Sequence, residues 1–221
     1  MSDDIVVSAP KHWLRKPDLF FALVKQTALG PTLDASEVSG CNAITAAMQG
    51  APIGHAAYAL ATAYLETGHT MQPVLEANWL SKPQRERYFF RMYDIGGDRP
   101  NVARQLGNLS PGDGVKFCGR GYVQATGRRN YKLASDKLGV DLIADPDKAM
   151  LPDIAAQVMR MGMDEGWFTG KSLRSFLPDD GRATWGQFVQ ARRIINGQDR
   201  AAVIADAAVK FQDALAAGEW A

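Results

Sequence analysis

The apolar positions of this chain recur mostly at helical spacing. Leu19 to Gln26 is a short apolar stretch, and Asp34-Ala-Ser-Glu37 reads as a polar helix entry leading into Ala43 to Met48. Pro52 suits a first helical turn, where its missing N–H costs nothing. Ile53, Ala57, Leu60 and Tyr64 then fall on one face, and Gly68 supplies the stop. Behind Pro152 a helix carries Ile154, Val158 and Met161. Another carries Trp185, Phe188, Val189 and Arg192 and ends near Asn196-Gly197, and the last carries Ile204, Ala208, Phe211 and Leu215 before Gly218. Each stripe reads as core rather than as a ligand site. From Tyr93 to Gly121 the period is lost, and seven glycines with Pro100 and Pro111 predict a loop holding at most a short hairpin. There is no internal repeat. A single mainly α domain over 1–221, two-lobed with a cleft between, is the economical reading, with residues 1–15 as an N-terminal extension.

Composition narrows the class. With 221 residues, 46% hydrophobic and 22% charged, the chain resembles an ordinary soluble protein with a sizeable core. No apolar run approaches the ~20 residues that cross a bilayer, so stable membrane insertion is not expected. The first nine residues carry Asp3 and Asp4 and lack the basic and apolar regions of a signal peptide, which predicts synthesis in the cytoplasm. Cys41 and Cys118 have no metal-site spacing and read as buried free thiols, with one disulfide as the alternative. His12, His55 and His69 form no HExxH pattern, so neither metal nor cofactor is expected. The net charge is +1, yet Ser81 to Ala134 holds eleven Lys/Arg against Glu86, Asp94, Asp98 and Asp113. That lobe either attracts an anionic polymer or is balanced by neighbours in space, and Arg120 and Arg128 within it are candidate partners of cleft carboxylates. Without a GxxxxGK[ST] loop or an RNP motif, nucleic acid is not an expected partner.

Two places could carry chemistry. Glu66 falls in the last turn of the helix opened by Pro52. There the helix dipole and partial burial disfavour its charge, as a general acid requires. Ala59, Thr62 and Ala63 beside it are small enough to leave room for a substrate; an exposed structural glutamate is the alternative. The second place is Gly119-Arg-Gly-Tyr-Val-Gln-Ala-Thr-Gly-Arg-Arg-Asn-Tyr131. Its glycines permit close backbone approach, Tyr122 suits stacking on a sugar ring, and Gln124, Thr126 and Asn130 offer uncharged hydrogen bonds for hydroxyls and amides. The alternative is a glycine-rich turn leading into a polar helix.

The stretch GRGYVQATGRRNYKLASDKLGVDLIADPDKAM, from Gly119 to Met150, resembles the GRG-x-[IV]-Q segment of family 19 glycoside hydrolases, a family of chitinases and phage endolysins. AYLETGHTMQPVLEANWLS, from Ala63 to Ser81, is similar to the catalytic helix end of the endolysin branch, and RRIING, from Arg192 to Gly197, to the substrate-binding segment near the family's C-terminus. The resemblance runs from about Phe20 to Leu215. It implies a mainly α, lysozyme-like fold with a deep cleft and an inverting mechanism. It also implies that Glu66 is the general acid, Thr126 helps hold the attacking water, and Gln124, Asn130 and Asn196 bind sugar. The chitinase pattern places a second glutamate about two dozen residues after the first, where this chain has Tyr88. Glu76, Glu86 and Asp94 are the nearby carboxylates, and Glu76 is chosen because it lies within the matching segment. Its alternative role is to fix the loop by hydrogen bonds or to pair with an arginine.

These features point to a monomeric peptidoglycan hydrolase acting on the bond between N-acetylmuramic acid and N-acetylglucosamine. The expected setting is a phage endolysin made in the host cytoplasm and reaching the wall through a holin. A chitinase, a lytic transglycosylase and a non-catalytic glycan-binding module remain as alternatives.

Overall fold

The computed structural model describes residues 12–221. Of the expected N-terminal extension, residues 1–11 lie outside the described residues. Residues 12 to 16 are held in place: Trp13 and Ala221 exchange backbone hydrogen bonds, and the Lys16 N–H donates to the Gly218 carbonyl.

The large lobe is built around one helix. After α1 (Pro17–Thr27) and α2 (Ala35–Ala47) comes α3 (Ile53–Glu66), in which every residue from Gly54 to Ala63 is buried. The expected single apolar face of α3 is therefore too narrow a description, because a helix apolar all round belongs in the interior. The α2 entry is a reciprocal cap: the Glu37 N–H donates to Asp34 Oδ1 at 2.8 Å, and the Asp34 N–H to Glu37 Oε2 at 2.9 Å. At the far end of the chain α8 (Pro152–Glu165) packs on α2, while α10 (Ala201–Ala217) packs on α3 and carries α9 (Trp185–Ala191) against it.

The small lobe occupies the middle of the sequence. The stretch expected to be loop in fact holds α5 (Pro100–Leu106) and α6 (Asp113–Lys116), between α4 (Lys82–Tyr93) and α7 (Arg128–Leu138). These helices are too short to show a period, which is why the pattern missed them. Two small cores support them, one around Phe117, Tyr131 and Leu142, the other around Phe89 and Cys118. Cys41 and Cys118 are buried free thiols, and burial pushes the Cys41 thiol up to about 12. Among the described residues, strand structure is limited to an antiparallel pair, β1 (Val74–Leu75) and β2 (Arg120–Gly121), in the register Val74 to Gly121 and Leu75 to Arg120, with one isolated antiparallel bridge between Arg120 and Ala125.

The basic stretch is neutralised locally only in part. Arg91 pairs with Asp98, Lys132 with Asp136, Arg128 with Asp113 and Arg120 with Asp147. Arg120 and Arg128 are thus structural, but their partners lie outside the cleft described below. Arg120 is buried, and its guanidinium also donates to the Lys116 carbonyl at 3.0 Å, the Cys118 carbonyl at 3.3 Å and Tyr131 Oη at 3.0 Å, tying β2 to α7. Arg120→Met should therefore cost about 1–3 kcal/mol by leaving buried carbonyls unpaired. Asp147→Asn, whose side chain is exposed, should cost less than about 1 kcal/mol. Urea unfolding midpoints of the two variants check this, and equal losses would contradict it.

Candidate active site

Glu66 is the last residue of α3. The chain then turns sharply: Gly68, His69 and Met71 have φ of 62°, 75° and 54°, and the Met71 N–H donates to the Thr67 hydroxyl at 3.1 Å. The turn releases the chain toward β1 and leaves the Glu66 side chain 27% exposed. Its Oε1 accepts a 2.6 Å hydrogen bond from Nη1 of Arg192, a side chain only 4% exposed that stands in the 3-10 turn after α9. The Arg192 Nε donates in turn to the Asp199 carbonyl at 3.0 Å. Ala59, Thr62 and Ala63 are fully buried. They form the floor behind Glu66 rather than room for a substrate.

That room lies on the other side, in a cleft of about 450 Å³ lined by Glu66, Glu76, Asn78, Trp79, Gln124 and Arg200 among others. Glu76 follows β1 directly. Its N–H donates to the Gly119 carbonyl at 2.9 Å, its Oε2 accepts from the Gly119 N–H at 3.2 Å, and its Oε1 accepts from Tyr93 Oη at 2.7 Å. Burial, reinforced by this carboxylate, raises the Tyr93 hydroxyl pKa and keeps it a donor.

Gly119 is the pivot of the second segment. A β-carbon there would lie 2.7 Å from Glu76 Oε2 and 3.1 Å from both Gln124 Oε1 and Thr126 Oγ1. These three oxygens therefore surround one small space. Gln124 is held in the left-handed region at φ 55°, with its Nε2 donating to the Val74 carbonyl at 2.8 Å, which leaves Oε1 aimed inward. The Thr126 hydroxyl donates to the Gln124 carbonyl at 2.8 Å, so its lone pairs remain free to accept.

The structure thus places Glu66, Glu76 and Gln124 on the cleft, with Thr126 Oγ1 beside the last two but outside the cleft lining, and leaves three expected residues aside. Tyr122 is fully buried in the main core with its hydroxyl unpartnered, so it has no face to stack on a sugar. Asn130 is 6% exposed, and its Nδ2 caps the Thr126 carbonyl at 2.9 Å at the start of α7. Asn196 is exposed outside the cleft lining, its Oδ1 accepting from the Gly197 N–H. The alternative carboxylates also lie elsewhere. Asp94 is buried and anchors the loop by accepting from the Gly96, Gly112 and Gly114 N–H groups, and Glu86 is on α4 beside Lys82. Sequence reasoning missed Arg192, although it lies in the RRIING segment, and Trp79, a tryptophan 81% exposed at the cleft. A tryptophan left so bare is the signal for a stacking surface.

The fold is that of the family 19 chitinases. Chitinase C from Streptomyces griseus HUT6037 superposes with a TM-score of 0.58 at 18% identity, covering 95% of this chain and 79% of that one. A variant of chitinase C gives 0.53 at 19%, covering 93% and 94%, and a bacterial family 19 chitinase gives 0.51 at 22%, covering 92% and 95%. No protein-family model and no curated protein matches the sequence.

Gly119→Ala should lower stability by about 1–3 kcal/mol, because its methyl group would overlap Glu76 Oε2 and press on Gln124 Oε1 and Thr126 Oγ1. Thermal unfolding of the purified variant measures this. A melting temperature equal to that of the parent chain would mean the three oxygens are not held where described.

Proposed function

We propose that the protein is an inverting glycoside hydrolase that cuts β-1,4 bonds in peptidoglycan, between N-acetylmuramic acid and N-acetylglucosamine. The observation that supports it best is the placement of Glu66 and Glu76 in one cleft with the acceptor oxygens of Gln124 and Thr126 beside Glu76. Inversion needs a proton donor on one side of the scissile bond and a base with a water on the other. Glu66 fills the first role in its protonated form, with the proton on Oε2, the oxygen that Arg192 leaves free. Its proton passes to the glycosidic oxygen as the bond to the anomeric carbon breaks.

Glu76 fills the second. A water that donates to Glu76 Oε2 and to Gln124 Oε1 or Thr126 Oγ1 presents a lone pair to the anomeric carbon and loses its proton to Glu76 as it attacks. Trp79 offers the apolar surface for a sugar face, and Asn78 and Arg200 the polar contacts for acetamido and lactyl groups. The biological setting in this reading is an endolysin made in a host cytoplasm, delivered through a holin, and acting as a monomer on the wall. A chitinase is the second reading, favoured by the chitinase neighbours of the fold.

Mass spectrometry of products separates these possibilities. New reducing ends at N-acetylmuramic acid support the proposal. Cleavage of chitin oligosaccharides alone makes the protein a chitinase, 1,6-anhydro ends make it a lytic transglycosylase, and no product at all leaves a binding module.

Glu66→Gln and Glu76→Gln should each lower kcat by at least about 10²-fold with the fold intact. If Glu76→Gln retains activity within a few-fold, the carboxylate serves only to fix the loop through Tyr93 and Gly119. Thr126→Ala should lower kcat more than it raises KM, since a hydroxyl that holds the attacking water acts in the transition state. Trp79→Ala should do the reverse and raise KM with kcat nearly unchanged. Steady-state kinetics on a defined oligosaccharide gives both answers, and an interchange of the two patterns would reassign both residues.

A further inference from the structure

Two turns before Glu66 on the same face of α3 stands Tyr58, fully buried. A phenol in an apolar interior is costly unless its hydroxyl is bonded, and phenylalanine would fill the same volume. The Tyr58 hydroxyl donates at 2.8 Å to the carbonyl of Ala191, the last residue of α9 and the one immediately before Arg192. Burial pushes its pKa up, so it remains a donor throughout the working range. Arg192 then reaches back to Glu66 on α3. The path closes on itself: Tyr58 to Ala191, along the chain to Arg192, across to Glu66, and back down two turns of α3. The far side of the guanidinium is fixed by the Asp199 carbonyl.

We propose that Tyr58 is a positioning residue for the acid, acting through Arg192. The proposal rests on the reading of Glu66 as proton donor. The hydroxyl anchors the backbone from which Arg192 springs, so the guanidinium meets Oε1 of Glu66 in one orientation and leaves Oε2 facing the cleft. Without it, the 3-10 turn at Arg192–Ile194 is free to shift relative to α3, and the carboxyl group turns with its partner. Packing alone would not need this link, since the ring is already enclosed.

The test is Tyr58→Phe, which removes one oxygen atom and keeps the ring. We expect kcat to fall roughly tenfold with KM within about twofold, the scale of one hydrogen bond in a coupled network. The Arg192 Nε–H resonance, followed by ¹⁵N NMR, should shift and exchange faster with solvent, a readout that needs no substrate. Arg192→Lys keeps a charge but loses the planar fork, so it should break the same path. Adding Tyr58→Phe to it should then lower kcat by less than about twofold further. An unchanged kcat in Tyr58→Phe, an unmoved Arg192 resonance, or fully multiplicative losses in the double variant would each overturn the proposal. If the parent chain cleaves no β-1,4 glycan, the catalytic reading fails by itself, while the resonance still reports whether Tyr58 holds Arg192.

Discussion

The pairing of Glu66 with Arg192 is the interaction on which the rest of the structure turns. It places one carboxylate at the boundary between a dry core and an open cleft, and both sides of that boundary are needed. A helix enclosed on every side from Gly54 to Ala63 gives Glu66 a fixed base. A guanidinium brought from the other end of the chain gives it a fixed direction. Neither would serve alone, because a glutamate on a mobile turn has many rotamers and a buried arginine without this partner loses one of the acceptors its N–H groups need. The large lobe is in this sense a mounting for a single pair of side chains, with the turn after α9 bringing Arg192 and α3 bringing Glu66.

The second wall of the cleft is built on a different principle. Where Glu66 is oriented by a charge, Glu76, Gln124 and Thr126 are oriented by the main chain: the Gly119 N–H, the Val74 carbonyl and the Gln124 carbonyl fix their polar atoms. Among the described residues Tyr93 contributes a side-chain partner, and it is half-buried and kept protonated by its surroundings. The absence of a side chain at Gly119 lets three oxygens converge where any other residue would intrude.

Much of this was legible in the sequence, and the failures have physical causes. Long helices announce themselves by repetition, so α3, α8 and α10 could be read from their apolar positions, whereas α5 and α6, with seven and four residues, could not. Glu66 was visible because a helix end can be located from Pro52 and Gly68. The orientation of a side chain in an irregular segment cannot be read in that way. Tyr122 and Gln124 are two residues apart in one glycine-rich run, yet one enters the core and the other the cleft. The left-handed φ of Gln124 breaks the alternation that a strand would impose. Arg192 escaped notice because an ion pair between residues at opposite ends of the chain leaves no local pattern.

The short ladder between β1 and β2 also bears on how such a site persists through evolution. Its two-residue register fixes the separation of the segments that carry Glu76 and Gln124 by peptide groups common to every amino acid. Substitutions elsewhere on either segment leave that separation unchanged. The fold itself is shared with chitinases at 18–22% identity, so few of its side chains need be the same for the backbone to take this course.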